Sequence, residues 1–348
     1  MNSTTETEIP VAPDTDSASA APSRSAASPI EVTDRGDRRH VRILRPQKGS
    51  SYSNVSEFDT AWPAEMLRRL ADLKGDWFLD SYQRFEHPNY IQKQIDVVLE
   101  LYGIKLAGTP VLDFGCGFGA SSYCMIKRGA TDILAADLEK SNTDFAADFA
   151  RAMGFADRVA IRHGDVVPEL QPNSFGVIWL QAVMEHLLPS ERQSYLKRFW
   201  QALRPGGHLI ITETPNRVWP VEGHTTRGTW WIPWMSHQKV FRRMRTQERY
   251  ASYSDEDFYR CGIIGSSYRE ILDCLGRPAD CRELSLETRG YASYLYSRAA
   301  RRSPARAAAT KFLGAAEFLS RNVLRRPITS FMPFLQHLAF QKRSADAR

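Results

Sequence analysis

The chain has no run of eighteen or more uncharged apolar residues, which excludes a conventional membrane-spanning helix. It has no Cys-x-x-Cys pair, and its five cysteines (Cys116, Cys124, Cys261, Cys274 and Cys281) are odd in number. That pattern argues against a disulfide framework or a cysteine zinc site and fits a reducing compartment. The eight histidines form no His-x-His or His-Glu-x-x-His pattern, so the sequence gives no argument for a metal. The start, Met1-Asn2-Ser3-Thr4-Thr5-Glu6, lacks the basic and apolar blocks of a secretory signal, and a cytoplasmic protein is expected. Residues 1–40 are nearly devoid of large apolar side chains and are expected to form a disordered tail.

The rest is ordinary for a globular chain. Of 348 residues, 43% are hydrophobic and 25% charged, enough for a sizeable core. The net charge of +6 is uneven: from Arg298 onward eleven Lys or Arg face two acids, Glu317 and Asp346, a net +9 that leaves −3 for the remainder. The basicity belongs to the tail.

Hydrophobic periodicity predicts one helix within 60–84 and a second over 88–103 ending at Gly103. Five short apolar runs follow, at 111–114, 133–136, 159–162, 176–180 and 208–212, separated by helical stretches. Short apolar strands alternating with helices indicate a parallel sheet covered on both faces. A late pair, 281–287 and 291–297, reads as an antiparallel hairpin around Thr288-Arg289-Gly290.

The strongest local signal is Val111-Leu112-Asp113-Phe114-Gly115-Cys116-Gly117-Phe118-Gly119. A strand enters a turn with glycine at every second position, then a helix. Such a turn leaves room for a ligand against bare backbone, with helix amides facing it. The G-x-G-x-G spacing differs from the G-x-G-x-x-G of dinucleotide sites, and no basic residue waits in the loop for a pyrophosphate. Asp137 ends the next strand, 18 residues after Gly119; an acid there accepts from ribose hydroxyls, or else caps a helix. Gly164-Asp165-Val166 follows the third strand, where a carboxylate accepts from an exocyclic amine or shapes a turn.

As a set, VLDFGCGFG, ILAADLE, HGDV, FGVIWLQAVMEHL and LRPGGHLIITETPN resemble the class I S-adenosylmethionine-dependent methyltransferases, closely over 88–216 and loosely to 297. The resemblance implies a doubly wound α/β fold with a seven-stranded, mostly parallel, Rossmann-like sheet whose last strand is antiparallel. It implies S-adenosyl-L-methionine as cofactor. Gly115, Cys116, Gly117 and Gly119 would lie under the methionine part with Asp113 nearby. Asp137 and Leu138 would hold the ribose side, Asp165 and Val166 would flank the adenine, and Gln181 would border the methyl-transfer face.

A hydroxyl acceptor benefits from a general base. The candidates are His186 in Met184-Glu185-His186-Leu187, and His224 with Glu222 in Pro220-Val221-Glu222-Gly223-His224; otherwise His186 only orients a helix and His224 is a loop histidine bonded to backbone. Segment 214–254 holds four of the eight tryptophans within sixteen residues (Trp219, Trp230, Trp231 and Trp234). It is expected to be a lid over a small polar or glycan acceptor, or a loop burying its own aromatics. The expected organisation is a tail over 1–40, a helical lead-in over 41–87, the methyltransferase domain over 88–297, and a basic amphipathic helical tail over 298–348. In that tail Phe312, Ala315, Ala316, Leu319 and Val323 share a helical face, Pro327 breaks the helix, and Phe331, Phe334, Leu335, Leu338 and Phe340 follow. Residues 303–343 therefore suit peripheral contact with an anionic membrane, or packing on the domain. Their apolar content argues against nucleic acid as a partner.

Overall fold

The computed structural model describes residues 28–49, 55–226, 228–289, 291 and 304–344. Its centre is a seven-stranded sheet. Five strands are parallel: β4 (Val111–Phe114), β5 (Ile133–Asp137), β6 (Val159–His163), β7 (Phe175–Gln181) and β8 (Leu203–Thr212). Two more complete it, β9 (Cys281–Glu283) and β10 (Leu338–Lys342), and the spatial order is β9-β10-β8-β7-β4-β5-β6. β10 runs antiparallel to both its neighbours.

The alternation of side chains across a strand splits the core in two. Val111, Ile133, Trp179, Ile210 and Ala339 pack on one face with the helices Ala64–Lys74, Phe78–Glu86, Ala120–Lys127 and Lys140–Ala152. Leu112, Ile178, Leu180, Ile211 and Phe340 pack on the other with Pro189–Ala202 and Tyr268–Leu275. Being buried on both faces is why these strands read as continuous apolar runs. The predicted second helix is present as Pro88–Ile91, a π turn over Gln92–Asp96, and Val97–Tyr102, ended by Gly103 in the left-handed conformation.

Several expectations are corrected. The sheet's antiparallel strand does not come from a hairpin over 281–297: Cys281–Glu283 pairs with Phe340–Lys342, Leu284–Glu287 is helical, and of 290–303 only Tyr291 lies among the described residues. The basic tail is not wholly helical. Helix Pro304–Asn322 ends before Pro327, and the chain then returns to insert β10 between β8 and β9. Leu335, Leu338, Ala339 and Phe340 are 0% exposed, so this second apolar stretch is core, and the sheet does not end at 297. Phe340→Ala is expected to cost about 3–5 kcal/mol, read as a lower denaturant midpoint, whereas Phe312→Ala on the exposed helix costs under about 0.5 kcal/mol. Equal effects would contradict the placement of β10.

At the other end, β1 (Ile30–Arg35) and β2 (Arg38–Ile43) form a hairpin extended by β3 (Glu57–Thr60). Residues 30–40 are therefore not a structureless tail, and the lead-in is not purely helical; residues 1–27 lie outside the described part. Segment 214–254 supplies most of a third, small core, in which Ile232, Val240, Phe241, Met244 and Tyr250 meet Phe258, Ile263 and Ile264.

Candidate active site

A cleft of about 1130 Å³ opens where β4, β5 and β7 end, the edge at which open α/β sheets bind ligands. Its floor is the turn Gly115–Phe118. Gly115 has φ +74, and a Cβ there would stand 2.4 Å from Val183 Cγ2, so only glycine fits on both counts. Gly117 has no atom within 4 Å of its Cβ direction and presents open backbone. Cys116 also lines the cleft but is 5% exposed.

Asp137 stands over this turn. Its Oδ2 accepts from Gly117 N at 2.8 Å and its Oδ1 from Glu139 N at 2.9 Å. Each oxygen keeps a second lone pair for a ligand hydroxyl. Leu138, 56% exposed, lies beside it on the cleft wall. Gln181 closes the inner end: its Nε2 donates to Tyr90 Oη at 2.7 Å and to Glu213 Oε2 at 2.8 Å. Gly115, Cys116, Gly117, Asp137, Leu138, Gln181 and His186 are thus brought to one cleft.

Other sequence candidates stand elsewhere. Asp113 is 1% exposed, and its Oδ2 accepts from Ser121 Oγ at 2.7 Å and Ser122 Oγ at 2.6 Å; burial pushes its carboxyl up to about 6. It braces the turn from beneath and does not line the cleft. Gly119 also sits off the lining, where its Cβ would press on Ala146 Cβ at 3.1 Å. Asp165 is tied to Val167 N at 2.9 Å and to Tyr195 Oη at 2.7 Å, and Val166 is core; Gly164 and Tyr195 line that end instead. Glu222 is not placed as a base: its Oε1 accepts from His224 N at 2.7 Å and Thr225 N at 2.8 Å, and its Oε2 from Thr226 N. The carboxylate shapes the 222–226 loop. His224 is 3% exposed and lies behind His186, with ring centroids 5.8 Å apart, off the cleft. The tryptophan segment does not cover the cleft either, because its apolar side chains pack into the separate small core. Trp230, Trp231 and Trp234 are 51–58% exposed and stack on one another.

The other end of the cleft is built from residues that local motifs did not single out. Helix Phe78–Glu86 brings Asp80 and Arg84, one turn apart, into the cleft, with Arg84 Nε donating to Asp80 Oδ2 at 3.1 Å. Asp80 is 2% exposed and its Oδ1 has no hydrogen-bond partner among the described residues; burial raises its carboxyl above the ordinary range, with Arg84 partly opposing. Glu213, in the left-handed region at φ 58 just past β8, faces Asp80 and Arg84 and accepts from Gln94 Nε2. Lys74 lies at the cofactor side, 4.5 Å over the Phe118 ring, and burial lowers its ammonium to about 8. The helical lead-in is thus part of the site.

A glycine turn open to the cleft, a ribose-suited carboxylate beside it and an apolar wall at Leu138 fit S-adenosylmethionine, and the absence of basic side chains on the turn disfavours a pyrophosphate. Residues 112–211 match the methyltransferase domain family. A carboxy-S-adenosyl-L-methionine synthase of Shigella sonnei is 26% identical over 170 residues, 46% of this chain and 66% of that one. Phosphoethanolamine N-methyltransferase 3 of Arabidopsis thaliana is 30% identical over 107 residues, 30% of this chain and 21% of that one. The chain thus spans less than two thirds of either relative. Among solved structures, geranyl diphosphate C-methyltransferase of Streptomyces coelicolor is similar with a TM-score of 0.40 at 15% identity, over 76% of this chain and 80% of that one. The match over 112–211 is thus to a methyltransferase domain whose methyl donor is S-adenosyl-L-methionine, and the order of the seven-stranded sheet around it agrees with that match.

Proposed function

We propose that this protein methylates a hydroxyl of a small polar acceptor, of the sugar or glycolipid class, held at the Asp80–Arg84 end of the cleft. The observation that carries this is the buried Asp80, whose Oδ1 has no hydrogen-bond partner among the described residues, in one cleft with Tyr90, Gln181 and Glu213. Bound S-adenosylmethionine would supply an electrophilic methyl group on a sulfonium. Gly115–Gly117, Asp137 and Leu138 would bind it, with Gln181 bordering the transfer face. Tyr90, Gln181 and Glu213 offer donors and acceptors for a hydroxylated ligand, and Asp80 takes the hydroxyl proton as general base. At about 1130 Å³ the cleft exceeds the roughly 300–1,000 Å³ of a one-ligand pocket, so cofactor and acceptor fit together. No metal is needed for this transfer, because alignment and exclusion of water carry much of the acceleration.

The test is transfer of radiolabelled methyl from S-adenosylmethionine to panels of glycosides, glycolipids, quinones and amines. Label in the hydroxylated compounds supports the reading; label confined to amines would refute it. A second reading, a lipid or quinone acceptor at a membrane surface, is favoured by helix Pro304–Asn322, where Phe312, Phe318 and Leu319 are 54–74% exposed near Lys311 and Arg325. Among the described residues no helix is long and apolar enough to cross a membrane. On the second reading the protein co-floats with anionic vesicles and Phe318→Asp abolishes it.

A further inference from the structure

Glu185, His186 and His224 are brought together although 38 positions separate the two histidines. One ligand-type atom of each lies within 4.8 Å of the others. Glu185 Oε1 stands 4.0 Å from His186 Nε2 and 3.9 Å from His224 Nε2. These separations are too long for hydrogen bonds. They lie a few tenths of an ångström outside the roughly 3.0–3.6 Å spacing of ligands set about 2.0–2.2 Å from a common ion.

Glu185 is 0% exposed, and neither of its oxygens makes a hydrogen bond of good geometry among the described residues, although the Thr214 hydroxyl and its own backbone amide lie near. A buried carboxylate left so is costly unless something charged meets it. Both imidazoles are oriented from behind. His186 Nδ1 is 2.7 Å from the Arg260 carbonyl, to which it donates. His224 Nδ1 is 3.1 Å from Thr225 Oγ1, whose own hydrogen goes to the Cys261 carbonyl at 3.2 Å. Each Nδ1 therefore carries the proton, and each Nε2 turns a lone pair toward Glu185, the outer-shell arrangement of metal-binding histidines. The backbone closes over the group at Gly262, with φ +79, where a Cβ would stand 2.9 Å from Cε1 of both histidines and 3.2 Å from Glu185 Cγ.

We propose that Glu185, His186 and His224 bind one divalent transition-metal ion, of the zinc or cobalt type. Two imidazoles and one carboxylate suit such borderline ions, whereas magnesium and calcium favour all-oxygen sets. The ion ties the segment after β7, the 222–226 loop and the 260–262 turn to one another at the back of the cleft. His186, which also lines the cleft, is then a ligand and not a proton carrier, and the site stands independently of which acceptor is methylated.

The test uses the full chain, stripped with chelator and titrated with cobalt(II) and zinc. The expected result is one ion per chain, a visible cobalt absorption band, and a higher Tm with zinc. Glu185→Gln keeps the shape and removes the buried charge; its metal-free Tm is expected to equal or exceed that of the parent, while metal affinity falls at least about 100-fold. His224→Asn loses the band in the same way, whereas His163→Asn, outside the cluster, keeps it. Binding well below one ion per chain in the parent, or full binding by Glu185→Gln, would overturn the proposal.

Discussion

Replacing Asp137 with alanine is expected to weaken binding of S-adenosylhomocysteine by about 100-fold or more. A carboxylate that accepts two ligand hydroxyls makes two charge-assisted bonds, each worth about 1.5–3 kcal/mol, and about 1.4 kcal/mol is a tenfold change in affinity. Asp137 also holds the Gly117 amide, so the turn loses its brace along with the ligand its partner. Asn preserves one acceptor oxygen, and Asp137→Asn should fall between the parent and alanine. The check is calorimetric titration of the three proteins at matched fold, monitored by circular dichroism. An unchanged dissociation constant in the alanine variant would remove Asp137 from the cofactor site.

Asp80→Asn is expected to lower kcat by about 10²–10⁴-fold, the usual contribution of a positioned general base, while changing S-adenosylhomocysteine affinity less than about threefold. Asn keeps the hydrogen bond from Arg84 and loses the ability to take a proton. Burial raises the Asp80 carboxyl above the ordinary carboxylate range, closer to working pH, where a base is most effective. In the parent kcat therefore rises with pH through that raised value, because only the ionised carboxylate accepts a proton, and Asp80→Asn flattens this limb. Turnover of the variant within tenfold of the parent would move the base elsewhere, with Glu213 as the next group to test.

The cofactor end was legible because its chemistry is local. The strand, the alternate glycines and Asp137 lie within one βαβ stretch, and such a turn has few structural uses. The acceptor end was not. Asp80, Tyr90 and Glu213 come from three elements, and each alone reads as an ordinary helix-surface or strand-end residue; Gln181 stood out only through the family resemblance. Glu213 did stand in a quoted motif, but nothing in its neighbours announces a left-handed backbone turning it into the cleft. His186 and His224 read as candidate bases because each follows a strand; in the structure His186 lines the cleft with its Nδ1 bonded to the Arg260 carbonyl, and His224 is buried behind it.

The misread elements share a cause in window length. Residues 30–43 alternate Ile30, Val32, Val41 and Ile43 around Gly36, a hairpin pattern that the composition of the first 40 residues conceals. Leu338–Lys342 has five residues, too few to separate a strand from a helical turn by periodicity, and its adjacent basic residues suggested a surface. The tryptophans at 230–234 suggested substrate stacking by type alone. Aromatic content does not say which way a segment packs, and Val240, Phe241 and Phe258 fold this one onto itself.

The central claim is that the glycine turn and Asp137 bind S-adenosylmethionine and not a dinucleotide. Isothermal titration of the purified protein with S-adenosylhomocysteine, with NADH as control, tests it most directly. The account predicts saturable binding of one S-adenosylhomocysteine per chain and none of NADH. Saturable NADH binding, or no binding of S-adenosylhomocysteine to the folded protein, would contradict it.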